Sequence, residues 1–139
     1  MKLNKNDEQL IEVAKQVALE NKDLFDSQGS LVASIIKTKS GNLYKGVNIK
    51  TSHSICAEQV AIGQALACGE RDFDSLVAVK MYSDGNTKVV SPCGLCRYTL
   101  NKLNLNINVF VEDLENGAIV KVNNRELLPY PYKSEHKKR

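Results

Sequence analysis

The sequence predicts one α/β domain of three layers, a mixed five-stranded sheet with helices on both faces. Three observations point there. Apolar residues recur at helical spacing in some stretches and form short strand-length runs in others. These stretches follow one another in the order α-β-β-α-β-α-β-β-α, with no linker and no internal repeat between them. A chain of 139 residues, 42% apolar and 25% charged, has the size and composition of one globular unit.

Asn6 is a plausible N-cap, followed by Asp7 and Glu8 in a first turn. Leu10, Val13, Ala14, Val17 and Ala18 then mark one face of a helix over 7–21. The run Leu31 to Lys37 reads as a strand, and Ser40-Gly41-Asn42 as the turn of a hairpin returning along Leu43 to Ile49. Ala57 to Cys68 is rich in Ala, Val, Ile and Leu and is followed by Gly69, a good helix terminator. Leu76 to Met81 reads as a buried strand closed by Asp84-Gly85-Asn86. Ser91-Pro92 looks like the N-cap and first position of a helix reaching Leu103. Ile107 to Val111 and Ala118 to Val122 are strands joined through Asn116-Gly117, and Arg125 to Leu128 forms a last helical turn before Pro129. The strands on either side of the 91–103 helix fit a right-handed parallel crossover.

The net charge is +3, yet the last seven residues alone carry four basic and one acidic residue. The domain proper, 1–132, is therefore neutral, and 133–139 reads as a basic, mobile tail. A neutral body argues against a nucleic-acid partner. No apolar run is long enough to span a bilayer, and the first residues lack the core of an export signal. A cytoplasmic setting follows, in which the cysteines Cys56, Cys68, Cys93 and Cys96 bind metal or pack rather than pair.

Two short motifs carry chemistry: Cys56-Ala57-Glu58 and Pro92-Cys93-Gly94-Leu95-Cys96. Cys93 and Cys96 are three residues apart, so one helical face presents both sulfurs to one ion. Cys56 supplies a third sulfur from another helix start, where the helix dipole stabilises thiolate. Three protein ligands with a free fourth position describe a catalytic Zn²⁺ site, whose bound water loses a proton near neutral pH. Glu58 is close enough to take that proton and pass it on. This is the signature of zinc deaminases. A closed, structural site completed by Cys68 or His53 is the alternative; Cys68 reads instead as a small buried residue and His53 as loop surface. Three thiolates and Zn²⁺ leave one net negative charge, which Arg97 is placed to offset.

These stretches, with Gly46-Val47-Asn48, Val89-Val90-Ser91 and Arg125-Glu126-Leu127-Leu128-Pro129, resemble the cytidine deaminase family, and within it the branch that deaminates blasticidin S. The resemblance spans residues 46–129 in family order. It implies the cytidine deaminase-like three-layer fold and hydrolytic deamination at C4 of a cytosine ring, with Cys56, Cys93 and Cys96 on zinc and Glu58 as proton shuttle. It implies that the backbone at Ala57 and around Ser91 orients the base. It also implies a homotetramer with shared active sites, in which Tyr132 caps a pocket or packs at an interface.

One departure from the family pattern bears on substrate. Cytidine deaminases place a glutamate two residues after the asparagine that corresponds to Asn48, and both hold the ribose hydroxyls. Here that position is Lys50. A cation accepts no hydroxyl proton but pairs with a carboxylate, such as the one on the sugar-like ring of blasticidin S. The alternatives are a cytidine or deoxycytidine deaminase of pyrimidine salvage, and a zinc-stabilised binding module without catalysis.

Overall fold

The computed structural model describes residues 1–133. The tail expected over 133–139 lies outside them apart from Lys133. Helix α1 (Lys5–Glu20) and a short α2 (Asp23–Gln28) precede the hairpin β1 (Val32–Thr38) and β2 (Leu43–Val47). Then come α3 (Ala57–Ala67), β3 (Phe73–Met81), β4 (Thr87–Val89), α4 (Gly94–Lys102), β5 (Asn108–Glu112), β6 (Ile119–Asn123) and a final 3₁₀ turn, Asn124–Leu127.

The sheet runs β2-β1-β3-β5-β6, with β4 paired to β3 beside that path. Only β3 and β5, connected through β4 and α4, run parallel among these pairs. The five expected strands make up the path. The sixth, β4, has three residues, too few to leave an alternation in the sequence.

Strand alternation divides the core between two faces. Ala33, Ile35, Val77, Val79 and Phe110 pack under α1 with Leu10, Ala14 and Ala18. Ile36, Leu76, Val109 and Val111 face the other way, against Ala61, Ile62 and Ala65 of α3 and Leu100 of α4. Three layers result, as expected.

The structure corrects four local readings. Helix α1 is capped by Asn4 rather than Asn6: the Asn4 side chain accepts from the Asp7 amide and the Asp7 carboxylate accepts from the Asn4 amide, both at 2.9 Å. Asp7 at the third helical position completes that reciprocal box, so the helix starts earlier. Ile11 is buried in α1, whereas Val13 is 37% exposed. Helix α4 is capped by Cys93, not Ser91, because the Ser91 hydroxyl accepts from the Glu112 amide on β5. Cys68 is exposed instead of buried, since it caps α3 where the chain turns off through Gly69 at φ 88°.

Candidate active site

The site forms where α3 and α4 begin. After β2 the chain makes a narrow loop closed by the pair Ile49 and Ile55, whose amides and carbonyls bond reciprocally at 3.0 and 2.9 Å. This returns the chain beside Asn48, and α3 starts at once from Cys56. The start of α3 lies tight against β2. A Cβ on Gly46 would sit 2.5 Å from the Ala57 carbonyl oxygen and 2.5 Å from the Ala61 nitrogen. Only glycine admits that approach.

Cys56 caps α3 and Cys93 caps α4, both with extended backbone. One turn into α4, Cys96 is buried. The three sulfurs lie within 4.8 Å of one another, and those of Cys56 and Cys93 are 3.6 Å apart. Zinc–sulfur bonds of about 2.3 Å in tetrahedral geometry put sulfurs about 3.8 Å apart. The donor set fits zinc in number, type and spacing. Cys68 and His53 are both exposed and stand outside this cluster, so neither closes it.

Glu58, the second residue of α3, is 6% exposed. Burial pushes its carboxyl above the ordinary range, against the opposing pull of its own backbone amide and the Cys96 thiol. Burial likewise raises the thiols of Cys96 and Cys56, with nearby negative charge adding to it. Cys93 goes the other way: burial raises it, but the Cys96 amide, the Cys56 and Cys96 thiols and the Leu95 amide together lower it more. Cys96 and Glu58 are buried while Cys56 and Cys93 reach the surface, so a cation held by the three sulfurs would be open to the cleft on one side.

A cleft of about 220 Å³ opens beside the cluster. Asn48, Lys50, Ala57, Glu58 and Ser91 all line it, as do Cys56 and Cys93. The Asn48 side chain accepts from the Val32 amide at 2.8 Å and donates to the Ser30 hydroxyl at 3.2 Å. Arg97 donates from Nε to the Pro92 carbonyl at 2.8 Å, bracing the turn that presents Cys93. Tyr132 is 81% exposed and does not line the cleft.

Two contributors were not legible beforehand. Ser30 lines the cleft. Gln28 donates to the carbonyls of Ser30 and Asn48, each at 3.0 Å, and accepts from the Lys50 amide at 3.2 Å. Gln28 ends a six-residue helix that has no apolar period, so no sequence signal marked it.

The model of the cytidine and deoxycytidylate deaminase zinc-binding region matches residues 4–112. The chain belongs to this deaminase family. Zinc is thus the metal that the cysteine trio of this deaminase fits. A blasticidin-S deaminase from Bacillus cereus is 35% identical over 137 residues, covering 94% of both chains. A cytidine deaminase from Halalkalibacterium halodurans is 31% identical over 108 residues, covering 75% of this chain and 78% of that one. Among solved structures, the cytidine deaminase of Mycobacterium tuberculosis superposes with TM-score 0.71 at 19% identity, over 96% of this chain and all of its own. That of Burkholderia pseudomallei gives 0.70 at 23%, over 94% of this chain. At such identities these two establish the deaminase fold.

Proposed function

We propose that this chain is a zinc-dependent hydrolase that converts the cytosine ring of a free nucleoside or nucleoside analogue to the uracil form. The observation that carries this is the buried Glu58 carboxylate in one cleft with two of the three clustered cysteines. Cys56, Cys93 and Cys96 hold the metal, which when bound acts as a Lewis acid and makes water acidic. Glu58 accepts the proton of the attacking water as oxygen bonds to C4, and delivers it to N3. A second proton goes to the amine as the C4–N bond breaks and ammonia leaves. Burial favours this exchange, because it leaves the carboxylate poorly solvated and ready to bind a proton.

The backbone at Ala57 and the segment at Ser91 orient the base, and Asn48 holds the sugar side. Lys50 favours an acidic nucleoside such as blasticidin S, in line with the nearly full-length match to a blasticidin-S deaminase. The cytidine deaminases among the relatives support cytidine or deoxycytidine as the second reading. Arg97 offsets the charge of the thiolate cluster.

The reading includes a homotetramer, supported by the apolar Ile49, Ile55, Leu95 and Tyr98, which are between 41% and 51% exposed near the site. Tyr132 then meets a neighbouring subunit. It also includes a cytoplasmic location, since free thiols suit a reducing compartment. No helix among the described residues is long and apolar enough to cross a membrane.

The test is ammonia release by zinc-loaded protein from cytidine, deoxycytidine, blasticidin S and several purine bases. Turnover is expected with at least one cytosine substrate and none of the purines. Glu58→Gln should keep stoichiometric zinc and lose at least about a hundredfold in kcat. No turnover of any cytosine compound, or full activity in the variant, would falsify the assignment.

A further inference from the structure

The two helices that carry the cysteines are joined by one polar relay. The Cys56 backbone amide donates to Gln59 Oε1 at 3.2 Å. Gln59 Nε2 donates to Thr99 Oγ1 at 3.2 Å. The Thr99 hydroxyl donates in turn to the Leu95 carbonyl at 2.9 Å. The polarity of this chain is determined throughout. The hydroxyl has a single proton, spent on Leu95, so towards Gln59 it can only accept. Flipping the Gln59 amide would set its NH₂ group against the Cys56 N–H and its oxygen against a hydroxyl with no proton left to give.

From this geometry we infer that Gln59 and Thr99 form a positioning clamp that holds the Cys56 end of α3 in register with the Cys93–Cys96 turn of α4. This rests on the zinc-dependent reading above. Gln59 sits at the third position of α3, where a glutamine side chain can satisfy the helix-cap amide locally. The local bond uses only its oxygen. The NH₂ group is left to reach across to α4, where Thr99 stands one turn beyond Cys96 and bonds to Leu95, the residue between the two cysteines in that turn. Any relative sliding of the two helix starts must break the 3.2 Å link. Helix α3 packs chiefly on β2 and β1 and α4 against the final 3₁₀ turn, so the two helices otherwise meet only slightly. The sulfur cluster depends on their alignment to within a fraction of an ångström. Neither Gln59 nor Thr99 supplies a metal-binding atom, and neither lines the cleft. Their role is to keep the three sulfurs spaced for one ion before it arrives.

The experiment measures zinc affinity by competition with a chromogenic chelator, together with the thiolate-to-cobalt absorption band of the Co²⁺-substituted protein and the Tm of the metal-free chain. Variants are Gln59→Met, Thr99→Val, Thr99→Ser and the double Gln59→Met/Thr99→Val. Removing the link should weaken zinc binding by about tenfold or more, the usual scale for groups that orient metal ligands. Thr99→Ser, which keeps the hydroxyl, should restore wild-type affinity and the wild-type cobalt spectrum. The double variant should bind little worse than the weaker single one, because both changes break the same link. Wild-type affinity in Thr99→Val, or losses that multiply in the double variant, overturns the clamp. A drop in affinity matched by an equal fall in metal-free Tm and not rescued by serine also overturns it, since that marks simple unfolding. If the wild type binds zinc yet deaminates no cytosine compound, the proposed reaction fails and the clamp is still decided by these affinities.

Discussion

Gly46 and Ala57 approach so closely that the missing Cβ of the glycine would lie 2.5 Å from the Ala57 carbonyl oxygen. This contact sets how far the start of α3, and with it Cys56 and Glu58, is drawn against β2. Gly46→Ala must push backbone against backbone, because the other near atoms are the Ala61 nitrogen at 2.5 Å and the Val60 Cβ at 2.9 Å. Stability should fall by about 1–3 kcal/mol in urea unfolding. Zinc affinity should fall with it, and a variant with unchanged midpoint and affinity would show that α3 has slack the geometry denies.

Lys50 lines the cleft and is exposed, with its backbone amide tied to Gln28. Lys50→Glu exchanges a donor for an acceptor at the wall of the cleft where the proposed reading puts the sugar. The ratio of kcat/KM for cytidine to that for blasticidin S should rise about tenfold or more, the worth of one hydrogen bond to a charged group. Steady-state kinetics on both substrates checks this, and an unchanged ratio means that the ammonium points away from substrate.

Asp7 and Lys121 pair at 2.8 Å with side chains only 11% and 10% exposed, tying α1 to β6. Removing one partner strands a poorly solvated charge. Asp7→Asn and Lys121→Met should each cost about 2–3 kcal/mol, below the cost at a fully buried pair because some solvent reaches this one. The double variant should recover much of that loss. Additive losses in urea titrations would show that the charges do not compensate one another.

Glu70 accepts from the Tyr44 hydroxyl at 2.6 Å and from the Asn42 side chain at 2.9 Å. The Tyr44 bond, then the Asn42 bond, holds the Glu70 carboxyl below its usual range; the same bond raises the Tyr44 phenol to about 12 from 10.0. The carboxylate contribution to stability is present above the ordinary glutamate value and is lost as pH falls through the lowered one. The phenol contribution is fully present below pH 10 and is lost as pH rises towards 12. Tyr44→Phe should therefore differ from wild type in unfolding free energy between these limits, with the gap closing in acid and in strong alkali. A pH-independent gap would place its cause in packing.

Much of the architecture was legible in the chain because burial imposes periodicity. The face of α1 that meets the sheet repeats at helical spacing, and β1, β3 and β5, buried on both faces, stand out as continuous apolar runs. Short elements escaped because they carry no such repeat. Strand β4 is held by its ladder to Val79 and Met81 on β3, and α2 by Leu24 and Phe25 packed on the core. Cap positions shifted where a side chain found a better partner far away, as Ser91 did with Glu112.

The sequence by itself determined the cysteine trio that could hold the metal, and the family: two cysteine motifs at helix starts, with an acid two residues past the first, are local chemistry. Tertiary structure alone decided what surrounds them. It drew Gln28 and Ser30 to the cleft, buried Glu58, left Cys68 in solvent, and joined Gln59 to Thr99 across 40 residues of chain. Those relations depend on where the sheet sets two helix ends in space, and no spacing along one strand or helix encodes that distance.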